Sequence, residues 1–282
     1  MSRIKECFVS RFENGVLVNF DYKQLEVVAL AVLSQDPTLM DDLLSGVDMH
    51  TKYAMKIFGK CNDILRTYIK RMTFQLQYGA TAHGMSKSLG LEKKICQKFI
   101  DEYFERYPLV KSWQEDQIRA VEGSAVPDPE SKAFPLKIST IQSPTGRLYT
   151  YRQDIVQRKN WRTGLTETKG EFKPTQIKNY PVQGVATGDL VPLMCGILNK
   201  FLLTNDIFSI LLINTVHDSI MLDVDLESME EATFYKHMED IRELLENAPA
   251  AMKDFYGFDW NMPTPVDAEC GPSWAELRHL HL

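Results

Sequence analysis

Two apolar runs with strand character, far apart in the chain, each lead into an aspartate. The first is Val16-Leu17-Val18-Asn19-Phe20-Asp21 and the second is Leu211-Leu212-Ile213-Asn214-Thr215-Val216-His217-Asp218. Most of the sequence between them has helical spacing. A chain patterned this way has to assemble its sheet from distant segments and carry a large helical block as an insertion, which predicts an α+β fold. Such a sheet would bring Asp21 and Asp218 together.

The 282 residues suffice for one large domain or two modest ones. No apolar run is expected to be long enough to cross a membrane. The start, Met1-Ser2-Arg3-Ile4-Lys5-Glu6, has no signal-peptide hydrophobic region, so a cytoplasmic site is expected, in a host cell if the gene is phage-borne. Five scattered cysteines without C-x-x-C spacing argue against both a disulfide framework and a zinc site. The net charge of −6 does not advertise a nucleic-acid binder, but local basic strips bind phosphate whatever the total. Basic residues gather at Arg66, Lys70 and Arg71. They gather again at Lys137, Arg147, Arg152, Arg158, Lys159, Arg162, Lys169, Lys173 and Lys178. The acidic excess lies around Glu227 to Glu246.

Along the chain, Phe8 to Asp21 reads as two strands joined at Glu13-Asn14-Gly15. Leu25 to Leu33 reads as a helix closed near Asp36-Pro37, and Thr38 to Leu44 as a second that ends at Gly46. Asp63 to Gln77 is a long helix. Leu91 to Glu122 is strongly helical, with Ile95, Phe99, Tyr103 and Tyr107 as a core-facing stripe. From Gly123 to Lys173 prolines and glycines mark turns, with a short strand over Thr145 to Tyr151. Thr187 to Leu203 is helical, provided Pro192 falls in the first turn. Ile207 to Val216 and Ile220 to Val224 are strands connected tightly at His217-Asp218. Leu226 to Met252 is an amphipathic helix, followed by a short extended segment.

Two strand-end carboxylates suit divalent ions. Mg²⁺ takes hard oxygen ligands, and two ions about 3.5–4 Å apart can serve the attacking and leaving oxygens of a phosphoryl transfer. Taken singly, each aspartate equally fits a turn cap. The helix from Asp63 adds a second element. Arg66, Lys70, Phe74 and Tyr78 are four apart, so each step drifts by about 40° around the axis. Arg66, Lys70 and Phe74 share a face, with Tyr78 offset at its end. Arginine offers a fork and lysine a point charge for phosphate, and the two rings offer flat surfaces for sugar and base. Together these are the parts of a nucleotidyl transferase.

These residues resemble the motifs of family A DNA polymerases. Asp21-Tyr22-Lys23-Gln24-Leu25-Glu26 is similar to motif A, D-Y-S-Q-I-E. Arg66 to Gly79 is similar to motif B, and Val216-His217-Asp218 to motif C. Asp48-Met49-His50-Thr51 resembles D-I-H-T, Thr145-Gly146-Arg147 resembles T-x-x-G-R, and Asn179-Tyr180-Pro181-Val182-Gln183-Gly184 resembles N-x-P-V-Q-G. The resemblance covers nearly the whole chain.

It implies template-directed DNA synthesis from dNTPs on primer-template DNA with two Mg²⁺ ions, for which Mn²⁺ can substitute. Asp21 and Asp218 would hold the metals, with the Tyr22 carbonyl as a further ligand. Arg66, Lys70 and His50 would hold the triphosphate, and Lys70 would protonate the leaving pyrophosphate. Phe74 would pack on the deoxyribose and Tyr78 stack at the templating position. Gln24 would line the nucleotide site, and Glu26 would exclude a ribose 2′-hydroxyl. Gln183, Asn179, Arg147 and His217 would contact primer or template. The implied organisation is palm over 1–50, inserted helical fingers over 51–175 and palm again over 176–282, with thumb and exonuclease domains absent.

The chain departs from the pattern at Ser219, where motif C commonly has glutamate, at Lys23 in motif A, and at Thr73 and Gln75 in motif B. Arg3-Ile4-Lys5-Glu6-Cys7-Phe8 resembles a stretch that follows the thumb in the family. The expectation is therefore the C-terminal part of a split, phage-type polymerase, completed by a separately encoded thumb-bearing chain. Two alternatives stand beside it. One is a catalytically silent DNA-binding or replisome subunit. The other is a single-subunit RNA polymerase, whose motif C often reads H-D-S but which Glu26, Gln24 and Phe74 disfavour.

Overall fold

The strand β1 (Gly15–Tyr22) is buried over most of its length, which fits a central position. In the computed structural model, which describes residues 3–132, 134–159 and 164–282, it is the middle strand of a five-stranded antiparallel sheet. Its neighbours are β8 (Ser219–Asp225) and β9 (Val266–Gly271). The edges are β7 (Ile210–Val216) beyond β8 and β10 (Arg278–His279) beyond β9. Arg162 and the first two residues lie outside the described residues, as does the side chain of Arg3.

The chain divides into two compact units. One comprises the segment up to Val28 together with Gly184–Leu282, and the other is Ala29–Gln183. The sheet belongs to the first. Helix α9 (Val191–Thr204) buries Val191, Met194, Leu198 and Leu202, and α10 (Glu231–Glu246) buries Phe234, Met238, Ile241 and Leu245. Both sets recur at three and four residues, so each helix presents one apolar stripe to the core. Tyr22 fixes β1 to α10 by donating its hydroxyl to the Leu245 carbonyl at 2.9 Å. Glu246 then ties α10 to the start of β9, accepting from the Val266 amide at 3.0 Å. The helix expected from Leu226 to Met252 is in fact two, α10 and α11 (Ala248–Tyr256), because Pro249 starts a new first turn.

Ahead of β1 the expected hairpin does not form. Arg3–Cys7 is a 3₁₀ turn, and Val9 makes an isolated bridge to Ser273. The segment is drawn to other partners instead. Ser10 donates to Asp223 at 2.6 Å, and the Arg11 amide donates to the same carboxylate at 3.1 Å. Phe8 packs edge-on against Trp274.

The second unit is mainly helical. Its helices are α2 (Pro37–Leu44), α3 (Met49–Phe58), α4 (Asp63–Gln77), α5 (Ala82–Leu89), α6 (Lys93–Arg106), α7 (Pro108–Gly123) and α8 (Pro174–Gln183). Helix α1 (Leu25–Ser34) begins in the first unit. The predicted helix over Leu91 to Glu122 breaks at Tyr107, before Pro108, as a residue preceding proline is disfavoured in helical geometry. Phe99, Tyr103 and Tyr107 are buried as the stripe predicts, with Tyr53 of α3 stacked among them, while Ile95 is only half-buried. Between α7 and α8 the chain forms strands β2 (Val126–Pro127), β3 (Lys137–Gln142) and β4 (Leu148–Arg152), then the hairpin β5 (Asp154–Lys159) and β6 (Thr166–Glu171).

After α8, Gly184–Leu190 has π-helical geometry and leads into α9, where Pro192 occupies the first turn. The 31-residue helical stretch Pro174–Thr204 is long and apolar enough to cross a membrane, contrary to the expectation. Its apolar residues Val185, Leu190, Met194 and Leu198 are buried within the protein.

Asp42 of α2 is the polar anchor of the second unit. It accepts two bonds from Arg106, at 2.8 and 2.6 Å, and one from the buried Tyr107 hydroxyl at 2.8 Å. Asp42→Ala strands that hydroxyl, so unfolding free energy should fall by about 2 kcal/mol. A urea titration checks this; an unchanged midpoint would mean that the network is not holding the helices together.

Candidate functional site

In the first unit, the β7–β8 connection is two residues long, His217 and Asp218, and His217 adopts a left-handed φ of 57°. This tight turn carries Asp218 to the end of β1. The Tyr22 amide donates to the Asp218 carbonyl at 3.3 Å, and Asp21 stands directly opposite Ser219 in the β1–β8 ladder. The two aspartates predicted to meet therefore do meet. Burial and the nearby charges of Asp218, Glu269 and Asp267 push the Asp21 carboxyl up to about 6. Burial, with the Glu26 charge, also raises Asp218, opposed by His217.

The turn that follows β1 has a second left-handed residue, Gln24, at φ 52°. Its carbonyl accepts from Val27 and Val28 and so starts α1, which places Glu26 in the first turn. Both carboxylates thus sit beside a non-glycine residue in a conformation that costs about 1–2 kcal/mol. Ser219, at the expected third-carboxylate position, donates its hydroxyl to the Val216 carbonyl at 3.0 Å and closes the hairpin turn.

The sequence reading missed Asp267 and Glu269. Both lie on β9, with Asp267 opposite Asp21 and Glu269 opposite Asn19. Asp267 pairs with Lys23 at 2.7 Å. The signal was the alternation Val266-Asp267-Ala268-Glu269-Cys270, which reads as a half-acidic strand.

Oxygen donors and nearby negative charge make the Asp21–Asp218 pair a fit for divalent metal, since a cation would offset the burial and the neighbouring carboxylates that raise both groups. Among the described residues, no group of three or more His, Cys, Asp or Glu side chains is gathered at metal-binding reach. The pair itself, the Tyr22 carbonyl and solvent would have to supply the ligands.

In the second unit, α4 starts where predicted, with Asn62 capping the Leu65 amide at 2.9 Å. Its buried face is Ile69, Met72 and Leu76, which leaves Arg66, Lys70 and Phe74 exposed on the other side. Tyr78 is the half-buried C-cap. Gly79 follows with φ 75°, and a Cβ there would lie 2.9 Å from the Lys178 side chain. This explains the Tyr-Gly pair: the chain must turn left-handed with α8 close by.

Asp48 caps α3 by accepting from Thr51, and it also accepts from Arg66 Nε at 2.9 Å. That arginine hydrogen bond holds its carboxyl well below the usual range. His50 lies beside this pair, its Nδ1 3.9 Å from Asp48. Burial and the charges of Arg66 and Lys70 push its imidazole pKa down. His50, Arg66 and Lys70 are therefore brought together, as predicted.

The remaining predicted contacts spread through both units. Arg147 closes the β3–β4 turn, where its amide donates to Ser143 Oγ at 3.0 Å and Gly146 adopts φ 89°. Asn179 and Gln183 lie on α8, and His217 lies on the β7–β8 turn of the other unit. The basic run of residues 152 to 173 is largely neutralised: Arg152 pairs with Asp128 and Glu130, Arg158 and Lys169 with Glu171, and Lys173 with Asp154.

The family model for DNA polymerase family A matches residues 1–276. The chain belongs to that family. It is 30% identical over 281 residues to DNA polymerase I of Lactococcus lactis subsp. lactis (strain IL1403), covering 98% of this chain and 28% of that protein. It is 30% identical to the DNA polymerase of Bacillus phage SP01, covering 97% of this chain and 27% of that one. A solved structure, the POL domain of Pol1 from M. smegmatis in complex with DNA primer-template and dNTP, matches with a TM-score of 0.67 at 21% identity. That match covers 96% of this chain and 42% of the other, and it shows the fold. The chain thus spans little more than a quarter of the length of these two relatives.

The depressed His50 pKa has a stability consequence. Between the ordinary value of 6.5 and the depressed one, the unfolded chain binds the proton and the folded chain does not. Stability should therefore fall as pH drops below 6.5. Following the His50 ring by NMR, Lys70→Ala should raise its midpoint; a midpoint that does not move would remove Lys70 from its surroundings.

Proposed function

We propose that this chain carries the catalytic part of a template-directed DNA polymerase, which transfers a nucleotide from a dNTP to a primer 3′-hydroxyl. The observation that carries the reading is the Asp21–Asp218 juxtaposition at the end of β1. Family membership across residues 1–276 supports it. So does the fold shared with a POL domain that was solved with primer-template and dNTP.

On this reading the first unit is the catalytic palm and the second the fingers. The compact units divide at 28/29 and 183/184, and the palm is proposed over 1–50 and 176–282 with the fingers over 51–175. Asp21, Asp218 and the Tyr22 carbonyl would hold two Mg²⁺ ions, which supply charge neutralisation for the attacking and leaving oxygens. Arg66, Lys70 and His50 bind the triphosphate. An incoming triphosphate competes with Asp48 for the Arg66 guanidinium, and its charge raises the His50 pKa and favours a protonated imidazole. Lys70 donates a proton to the departing pyrophosphate. Phe74 packs on the sugar, Tyr78 on the template position, and Gln24 lines the nucleotide site. Glu26 fills the space of a 2′-hydroxyl. Arg147, Asn179, Gln183 and His217 contact primer and template.

The finer reading is that the chain works with a separately encoded thumb-bearing polypeptide, in a phage-type split enzyme acting in the host cytoplasm.

The deciding assay is extension of a primed single-stranded template with dNTPs and Mg²⁺, by this chain alone and with a thumb-bearing chain from the same source. Activity should require the partner, and Asp218→Ala should abolish it with the fold intact. Substantial synthesis by that variant would sink the metal assignment. Glu26→Ala should admit ribonucleotides, since the 2′-hydroxyl marks RNA; unchanged sugar selectivity in the same assay would sink the gate.

A further inference from the structure

The acids on β9 are not used by that reading. Asn19 stands opposite Met221 on one side and Glu269 on the other, and Asp21 stands opposite Ser219 and Asp267. Residues opposite one another in a ladder, or two apart along a strand, project from the same face of a sheet. Asn19, Asp21, Asp267 and Glu269 therefore share a face. His279 of β10 stands opposite Glu269 and ends that row.

Charge on this face is unevenly met. Lys23 neutralises Asp267. Among the described residues, the Glu269 side chain has neither an ion-pair nor a hydrogen-bond partner. Asn19, between Glu269 and Met221, is only 8% exposed, and its Oδ1 is buried without a donor. A buried amide carbonyl left unpaired is costly, and the deficit lies in the row of the free carboxylate. Both groups are hard oxygen donors, one neutral and one anionic. They can be satisfied together by a cation, whereas Glu269 when ionised has no proton to donate to Asn19. The part played by Glu269 in raising Asp21 is consistent with this closeness.

The geometry points to a further cation site in which Glu269 and the Asn19 carbonyl, beside Asp21, take a hydrated divalent ion. The inference deepens the polymerase reading and rests on Asp21 and Asp218 being the metal pair. Because no three acidic or imidazole groups converge here among the described residues, such an ion would keep much of its water and bind more weakly than those at the pair. It would screen the repulsion of Asp21 on β1 by the acids of β9.

The test is a Mn²⁺ titration of the full chain without DNA, reading free ion by electron paramagnetic resonance and folding by thermal melting. The wild-type chain should bind a tighter class and one weaker ion. Glu269→Gln, which is isosteric and uncharged, should weaken the weaker ion by roughly tenfold or more and leave the tighter class. Asn19→Asp should tighten the weaker ion, and Asp218→Asn should lose the tighter class alone. A Glu269→Gln titration matching wild type overturns the inference and leaves the polymerase reading standing. An Asp218→Asn titration matching wild type overturns that reading instead. If Glu269→Gln fails to fold, Asn19→Asp decides: an unchanged weaker ion overturns the inference, and a tightened one upholds it.

Discussion

The end of β1 is held in place by ordinary backbone pairing while its side chains repel. The β1–β8 ladder and the Tyr22 amide bond to Asp218 force two carboxylates into one neighbourhood that is partly shielded from water. Left to themselves, the charges would separate. They do not because each is fixed at both ends: Asp21 by pairing with strands on either side, Asp218 by a two-residue turn. The surrounding structure serves this arrangement. Tyr22 and Val266 tie two neighbouring strands to adjacent residues, Leu245 and Glu246, at the C-terminal end of α10, so the strand carrying Asp21 cannot slide without breaking a buried hydroxyl bond.

The second unit manages charge differently. Arg66 is held near a partner carboxylate, and His50 is kept neutral between cations. The cluster is electropositive overall, yet partly satisfied by Asp48. Its scaffold is an aromatic core of Tyr53, Phe99, Tyr103 and Tyr107, pinned by the Asp42–Arg106–Tyr107 network. An acidic pair on a sheet and a cationic face on a helix are thus built independently, each by the element type that positions it most rigidly.

Much of this was legible in the sequence because its signals were local. The spacing of Arg66, Lys70 and Phe74 fixed α4 from Asp63 to Gln77, and the His217-Asp218 step between two apolar runs fixed the hairpin. What escaped depended on distant partners. Phe8 to Arg11 has strand composition, but Asp223 and Trp274 outcompete a local hairpin. Asp267 and Glu269 carry no motif, and their place beside Asp21 and Asn19 exists only through a register set hundreds of atoms away. The basic residues from Arg152 to Lys173 looked like a phosphate-binding strip, and most are paired internally instead.

Two of the four non-glycine residues with left-handed φ among the described residues, Gln24 and His217, bear on how such a chain can change. His217 directly precedes Asp218 and Gln24 lies three residues after Asp21, each in a backbone state that glycine would occupy at less cost. Glycine at either position would relax the folded chain while loosening the hinge that aims the acid. Selection for thermal robustness and selection for turnover would therefore pull these two positions in opposite directions, making them natural dials for tuning one property against the other.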